Sequence, residues 1–133
     1  MATRILVVED NEDNLRLIDY FLMEYGYTPM LARDGPEGLR VAIQTRPQLV
    51  LLDIRMPGMD GYEVAKAIKR APGLAGTKVV ALTASAMVGD RERIAAAGFD
   101  GYIRKPIDPE TFMDTLGPFL SERPVRSAVE GTR

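Results

Sequence analysis

Three short apolar runs, Ile5 to Val8, Leu49 to Leu52 and Val79 to Leu82, show no polar alternation, and each stops at a polar residue: Glu9, Asp53 and Thr83. Runs of this length, rich in β-branched residues and leucine, suit strands covered on both faces, as in a parallel sheet. Between them the spacing turns helical. Leu15, Ile18, Leu22 and Tyr25 step by three and four, as do Gly61, Val64, Ala65 and Ile68. Gly35-Pro36 opens another helix, with Leu39, Ala42 and Ile43 on its inner face and proline at a tolerated early position. Met87 to Ala97 predicts a weaker helix stopped by Gly98, and Phe112, Leu116, Phe119 and Leu120 mark a last one with Pro109 near its start.

Two further strands are expected at Thr28 to Ala32 and Phe99 to Arg104. The first contains Pro29, which cannot donate to a central ladder, so it belongs at a sheet edge. Strand then alternates with helix throughout, which calls for an α/β fold: a doubly wound, five-stranded parallel sheet in a three-layer sandwich, with right-handed crossovers. An edge-placed second strand favours the flavodoxin-like order 2-1-3-4-5. Ser121 to Arg133 has little apolar content and reads as a flexible tail.

Composition narrows the chemistry. At 133 residues, the chain suits one domain. Lys and Arg number 17 against 19 Asp and Glu, so the net charge of −2 gives no general pull toward nucleic acid or anionic lipid. Without cysteine there are no disulfides, thiolate metal sites or thiol nucleophiles, and without histidine there is no imidazole base, ligand or phosphohistidine. The four apolar residues before Glu9 are too few for a signal peptide or a membrane span, so a cytoplasmic protein without membrane insertion is expected.

In open parallel sheets, ligands bind beyond the carboxyl ends of the strands. Glu9 and Asp10, Asp53, Thr83 and Lys105 stand at four of those ends, on neighbouring strands of the expected order. Three clustered carboxylates repel one another unless a cation sits among them, and an oxygen-only donor set calls for a hard ion, Mg²⁺ or Mn²⁺. An ionised aspartate can attack phosphorus without a general base, with lysine and threonine contacting the phosphoryl oxygens. Each residue alone also has an ordinary explanation: Glu9 and Asp10 as helix-start acids, Asp53 as a turn former, Thr83 as a cap, Lys105 as a solvated charge.

From about Arg4 to Leu120 the chain resembles the response-regulator receiver domains of two-component signalling. The motifs that carry this are Ile5-Leu6-Val7-Val8-Glu9-Asp10-Asn11, Leu52-Asp53-Ile54-Arg55-Met56-Pro57-Gly58-Met59-Asp60-Gly61, Leu82-Thr83-Ala84 and Tyr102-Ile103-Arg104-Lys105-Pro106. The loop Thr83-Ala84-Ser85-Ala86-Met87 with Gly89-Asp90 resembles single-domain receivers of the DivK type and the receivers of hybrid kinases. The resemblance implies a receiver domain over residues 1–120 and roles for individual residues. Asp53 is the phosphoacceptor, Asp10 a direct Mg²⁺ ligand, Glu9 its neighbouring acid, and Arg55 the donor of a backbone carbonyl to the metal. Thr83 is the switch hydroxyl, Tyr102 the switch aromatic and Lys105 the phosphoryl-binding lysine, with a cis bond before Pro106. Arg55 and Ser85 would flank the entrance and tune the lifetime of the phosphoryl group.

The implied function is that of a signalling receiver rather than an enzyme. It takes a phosphoryl group from a sensor histidine kinase or histidine phosphotransferase. Thr83 and Tyr102 then shift so that the face of the fourth helix, fifth strand and fifth helix, near Arg91, Tyr102, Arg104 and Asp108, favours a downstream protein. With only 13 residues after Leu120, output by protein contact, or a phosphoryl shuttle or sink, is expected rather than direct nucleic-acid binding, from a monomer or weak dimer. Two competing readings are weaker. A Mg²⁺-dependent aspartyl phosphohydrolase of the haloacid-dehalogenase type needs an acid where Arg55 stands. A flavin mononucleotide site needs a phosphate loop where Glu9-Asp10-Asn11-Glu12-Asp13 would repel phosphate.

Overall fold

A computed structural model describes residues 3–120, so the expected tail, 121–133, lies outside the described residues. The elements run β1 (Ile5–Val8), α1 (Glu12–Glu24), β2 (Met30–Ala32), α2 (Gly35–Thr45), β3 (Leu49–Asp53), α3 (Gly61–Arg70), β4 (Lys78–Thr83), α4 (Val88–Ala96), β5 (Gly101–Arg104) and α5 (Pro109–Leu116), followed by a 3₁₀ turn over Gly117–Phe119. The five strands form one parallel sheet in the order β2-β1-β3-β4-β5.

The sheet explains the apolar runs. Successive residues point to opposite faces, and both faces are covered. Leu6, Val8, Val50, Leu52, Val79 and Ala81 pack with Ala42 of α2, Val64 and Ile68 of α3 and Ile94 of α4. Ile5, Val7, Leu49, Leu51, Val80 and Leu82 pack with Leu15, Ile18 and Leu22 of α1 and Phe112 and Leu116 of α5. Every one of these side chains is at most 2% exposed, and burial of each large apolar one contributes roughly 1.5–3 kcal/mol. Among the described residues, no helix is long and apolar enough to cross a membrane.

Several boundaries differ from the sequence expectation, each for a physical reason. Strand β2 starts at Met30 rather than Thr28, because pairing begins only after Pro29, which has no N–H to donate. Strand β5 starts at Gly101, because Phe99 turns inward to the core and the Asp100 carboxylate accepts from both Val79 N–H and Lys69 Nζ. The last helix ends at Leu116, and Phe119 falls in the 3₁₀ turn. The inner face of α2 is only partly the expected one: Ala42 is buried and Leu39 packs against the core, but Ile43 does not. Ile43 is 51% exposed, and the buried positions are Gly35, Gly38 and Ala42. A Cβ on Gly38 would come within 2.7 Å of a Val8 methyl, so this helix approaches the sheet too closely for an isoleucine to fit.

Helix starts are set by short polar caps. Asn11, Asp34, Asp60 and Asp108 accept from backbone N–H groups of α1, α2, α3 and α5, and Asp60 and Glu63 form a reciprocal capping box. The N-cap of α4, Met87, supplies no side-chain hydrogen bond. Gly61, directly after the Asp60 cap, presses the start of α3 against the end of β3: a Cβ there would collide with Asp53 O and Ile54 Cα. Gly76 has open space around it. Gly61→Ala should therefore cost about 1–3 kcal/mol in denaturant unfolding, while Gly76→Ala should stay within about 0.5 kcal/mol of wild type. Equal stabilities for the two variants would contradict the close contact at Gly61.

Candidate functional site

Register brings the acids together. Val8 of β1 pairs with Leu52 of β3, so Glu9 and Asp53, one residue further along each strand, emerge side by side at the carboxyl edge. Glu9 N–H still donates to Ala32 O across the sheet, which holds this residue at the end of the ladder and buries it fully. Asp10 follows on the exposed rim. One carboxylate oxygen from each of Glu9, Asp10 and Asp53 lies within 4.8 Å of the others.

Lys105 reaches the same place from beyond β5. Its Nζ stands 3.0 Å from Glu9 Oε1 and 3.2 Å from Asp53 Oδ2, with only 19% of the side chain exposed. The other oxygens are held by the main chain: Asn11 N–H donates to Glu9 Oε2 at 3.0 Å, and Arg55 N–H donates to Asp53 Oδ1 at 3.1 Å. Although Lys105 is in ion-pair range of Glu9 Oε1, that oxygen accepts no well-formed hydrogen bond and is shut off from solvent. It is a buried acceptor short of a partner.

The electrostatics follow from this crowding. Burial, reinforced by the adjacent Asp53 carboxylate, pushes the Glu9 carboxyl up to about 7, against the lowering effects of Asn11 N–H and Lys105. Burial by itself would lower the Lys105 ammonium, but the Asp53 and Glu9 charges outweigh it and hold Lys105 above the ordinary lysine value. A short-handed oxygen and three hard anionic donors against one ammonium make a donor set that fits a small divalent cation. Glu9, Asp10 and Asp53 are the residues placed to hold it.

The remaining candidates are distributed as follows. Thr83 ends β4 at the same edge, but its hydroxyl donates to Ser85 O at 2.7 Å instead of facing the acids. Arg55 is exposed and lines the crevice over the acids, an opening of about 340 Å³. Tyr102 is half-buried, packed against the core layer that contains Ile94 and Phe99. Arg91, Arg104 and Asp108 are exposed, and the Lys105–Pro106 bond is cis. Tyr102, Arg104, Pro106, Asp108 and Thr111 border a second groove of about 490 Å³ between β5 and α5.

Some ordinary explanations give way. The α1 cap is Asn11, not Glu9 or Asp10, and the α4 cap is Met87, not Thr83. Asp53 does act as a turn former toward Arg55 N–H, but it also belongs to the acid cluster. Sequence reasoning missed Asn14 as part of the crevice wall; its place one helical turn beyond Asp10 was the available signal. It also missed the hydrogen bond between Ser85 Oγ and Asp90 Oδ2, for which spacing offers no sign.

Known proteins align with this geometry. Residues 5–117 match the family model described as a response regulator receiver domain. The polar-differentiation response regulator DivK of Brucella anthropi is 39% identical over 122 residues, which is 92% of this chain and 99% of that protein. The Vibrio cholerae chemotaxis protein CheY4 superposes with a TM-score of 0.86 at 29% identity, over 90% of this chain and all of that one (100%). The receiver domain of a Pseudomonas aeruginosa sensor histidine kinase, solved with a magnesium ion coordinated in its active site cleft, gives a TM-score of 0.82 at 34% identity, over 90% and 98% of the two chains.

Removing the central ammonium tests the charge balance. Lys105→Met should destabilise the metal-free protein by about 2–3 kcal/mol, at or below the low end for a broken buried pair because Lys105 keeps some exposure. Added Mg²⁺ should restore part of that loss, since a cation bound only by the folded state stabilises it. Thermal unfolding of both proteins, with chelator and with Mg²⁺, reads the two effects, and an undisturbed melting temperature without metal would refute the balancing role.

Proposed function

The chain belongs to the response-regulator receiver family of two-component signalling, and from that premise we propose that Asp53 is its phosphoacceptor. The observation that carries the proposal is the state of the Asp53 carboxylate. It is buried at a strand end, fixed at one oxygen by Arg55 N–H and at the other by Lys105, and it borders a crevice shared with Glu9 and Asp10. Such a carboxylate is a nucleophile that needs no base, which suits a chain without histidine.

In the transfer, an Asp53 oxygen forms a bond to phosphorus as the bond from phosphorus to the donor's imidazole nitrogen breaks. The imidazole keeps the electron pair and takes up a proton. The donor is the phosphohistidine of a sensor kinase or histidine phosphotransferase. Asp10, Asp53, the Arg55 carbonyl and Glu9 would hold Mg²⁺, or Mn²⁺ in its place, which when bound would supply neutralising charge for the phosphoryl oxygens. Lys105, now between Glu9 and Asp53, is within reach of a phosphoryl group on Asp53 and offers it a charge-assisted hydrogen bond. Thr83 offers a second donor once it leaves Ser85. Tyr102, half-buried beside the β5–α5 groove, would turn further inward, and the surface around Arg91, Arg104 and Asp108 would then select a downstream protein.

Arg55 and Ser85 are the side chains that would set how fast water removes the phosphoryl group. A stand-alone aspartyl phosphohydrolase is not favoured, because Arg55 offers no acid at the position that reaction uses. A receiver domain spanning 1–120, a cytoplasmic location, and a monomer or weak dimer complete the reading, with phosphoryl shuttle or sink as the variant that lacks its own output.

Incubation with acetyl phosphate tests the acceptor without knowledge of the natural kinase. Wild type with Mg²⁺ should gain a hydroxylamine-labile phosphoryl group. Asp53→Asn should show none, and Asp10→Asn should lose both Mn²⁺ binding by electron paramagnetic resonance and most of the phosphorylation. Stable labelling of Asp53→Asn would defeat the assignment. Arg55→Ala and Arg55→Asn should each change the dephosphorylation rate severalfold, and two unchanged rates would remove Arg55 from the lifetime role.

A further inference from the structure

The Thr83 hydroxyl is fully committed within its own loop. It donates to Ser85 O at 2.7 Å and accepts from Ser85 N–H at 3.1 Å, so a single residue satisfies both functions. Ser85 is held in turn, because its hydroxyl donates to Asp90 Oδ2 in the first turn of α4. This run of hydrogen bonds leads from the end of β4 to a helix whose N-cap, Met87, makes no side-chain hydrogen bond.

Packing does little to fix this segment. Met87 is 74% and Val88 61% exposed, and Ala84 and Gly89 are exposed as well, whereas Ser85 and Asp90 are half-buried. Loops with few buried apolar contacts sit at the low-stability end of a structure, and single polar contacts then decide their position. A hydrogen bond to a charged acceptor is among the stronger of these.

A hydroxyl has one proton to give. If Thr83 donates to a phosphoryl oxygen on Asp53, it must release Ser85 O, so whatever anchors Ser85 opposes that change. We propose that Asp90, acting through Ser85, is a positioning residue that holds Thr83 in its resting orientation and so sets the bias of the unphosphorylated protein against the switched state. The proposal rests on Asp53 as phosphoacceptor and Thr83 as the switching hydroxyl. By linkage, a ligand that needs Thr83 turned toward Asp53 must work against this bond, and removing the bond raises its apparent affinity.

The probe is beryllofluoride with Mg²⁺, a mimic of the bound phosphoryl group, titrated into the full chain and followed by amide NMR. Asp90→Ala should bind it at least about tenfold more tightly than wild type, the factor carried by one net charged hydrogen bond. Ser85→Ala removes the same bond from the other end while the acid of α4 stays in place, and it should show a similar gain. The double variant should gain no more than either single one, because the two residues share one interaction. Asp90→Asn keeps an oxygen acceptor but loses the charge, and should fall between wild type and Asp90→Ala.

A purely structural role for Asp90 predicts something else. It would lower the melting temperature without tightening beryllofluoride binding, and it would act equally in the presence or absence of the Thr83 hydroxyl. In a Thr83→Ala background, Asp90→Ala should therefore leave affinity unaltered. Unchanged or weaker binding by both Asp90→Ala and Ser85→Ala overturns the latch, as does an equal gain in the Thr83→Ala background. A wild type that does not bind beryllofluoride overturns the acceptor reading of Asp53 and the latch with it. Wild-type binding with unaltered variants overturns the latch alone.

Discussion

Two carboxylates, Glu9 and Asp53, are buried at the end of a sheet covered on both faces, and one ammonium, Lys105, stands within 3.2 Å of both. Much of the molecule's design answers to that arrangement. Removing two acids from water is costly, and a single cation offsets the cost only in part, which is why the Glu9 carboxyl is driven up to about 7. The site is therefore short of positive charge in its resting form. A protein built only for stability gains little from such a cluster, which lies at the edge where open parallel sheets bind their ligands.

The arrangement constrains the topology. Glu9 follows β1, Asp53 ends β3 and Lys105 follows β5, with β4 standing between the last two. The three groups meet only because all strands are parallel, so that every carboxyl end lies on one side, and because β1 and β3 are in register through Val8 and Leu52. A slip of one residue between those strands would separate Glu9 from Asp53 and turn one set of side chains to the wrong face. The apolar layers on both faces thus do more than stabilise: they hold the register that assembles the acids. Close contacts at Gly38 against Val8 and at Gly61 against the end of β3 keep α2 and α3 seated beside the same edge.

Rigidity is unevenly shared. Glu9 and Asp53 sit at the ends of the fully buried strands β1 and β3, with Lys105 held between them by two ion pairs, whereas Thr83 leads into a loop held by hydrogen bonds more than by burial. That division suits a switch, since chemistry needs fixed groups and a change of state needs a segment that can move at small cost. Tyr102 stands between the two regimes, half-buried against the core yet bordering the β5–α5 groove.

Much of this was legible in the chain alone. Unalternating apolar runs announce strands covered on both faces, Pro29 sends its strand to the edge, and Glu9, Asp10, Asp53, Thr83 and Lys105 each stand where a run ends. Such features are local: strand and helix periodicity, the missing proline N–H and the end of an apolar run depend on the backbone itself. Other features depended on distances between elements. Ile43 faces solvent because α2 meets the sheet through Gly38 and Ala42, a closeness of approach that periodicity does not reveal. The Asp100 carboxylate cuts β5 short by accepting from Val79 and Lys69, residues far away in sequence. Sequence determined which groups reach the carboxyl edge, because backbone geometry is short-ranged; folding decided which of them touch, because contact depends on how closely the layers approach.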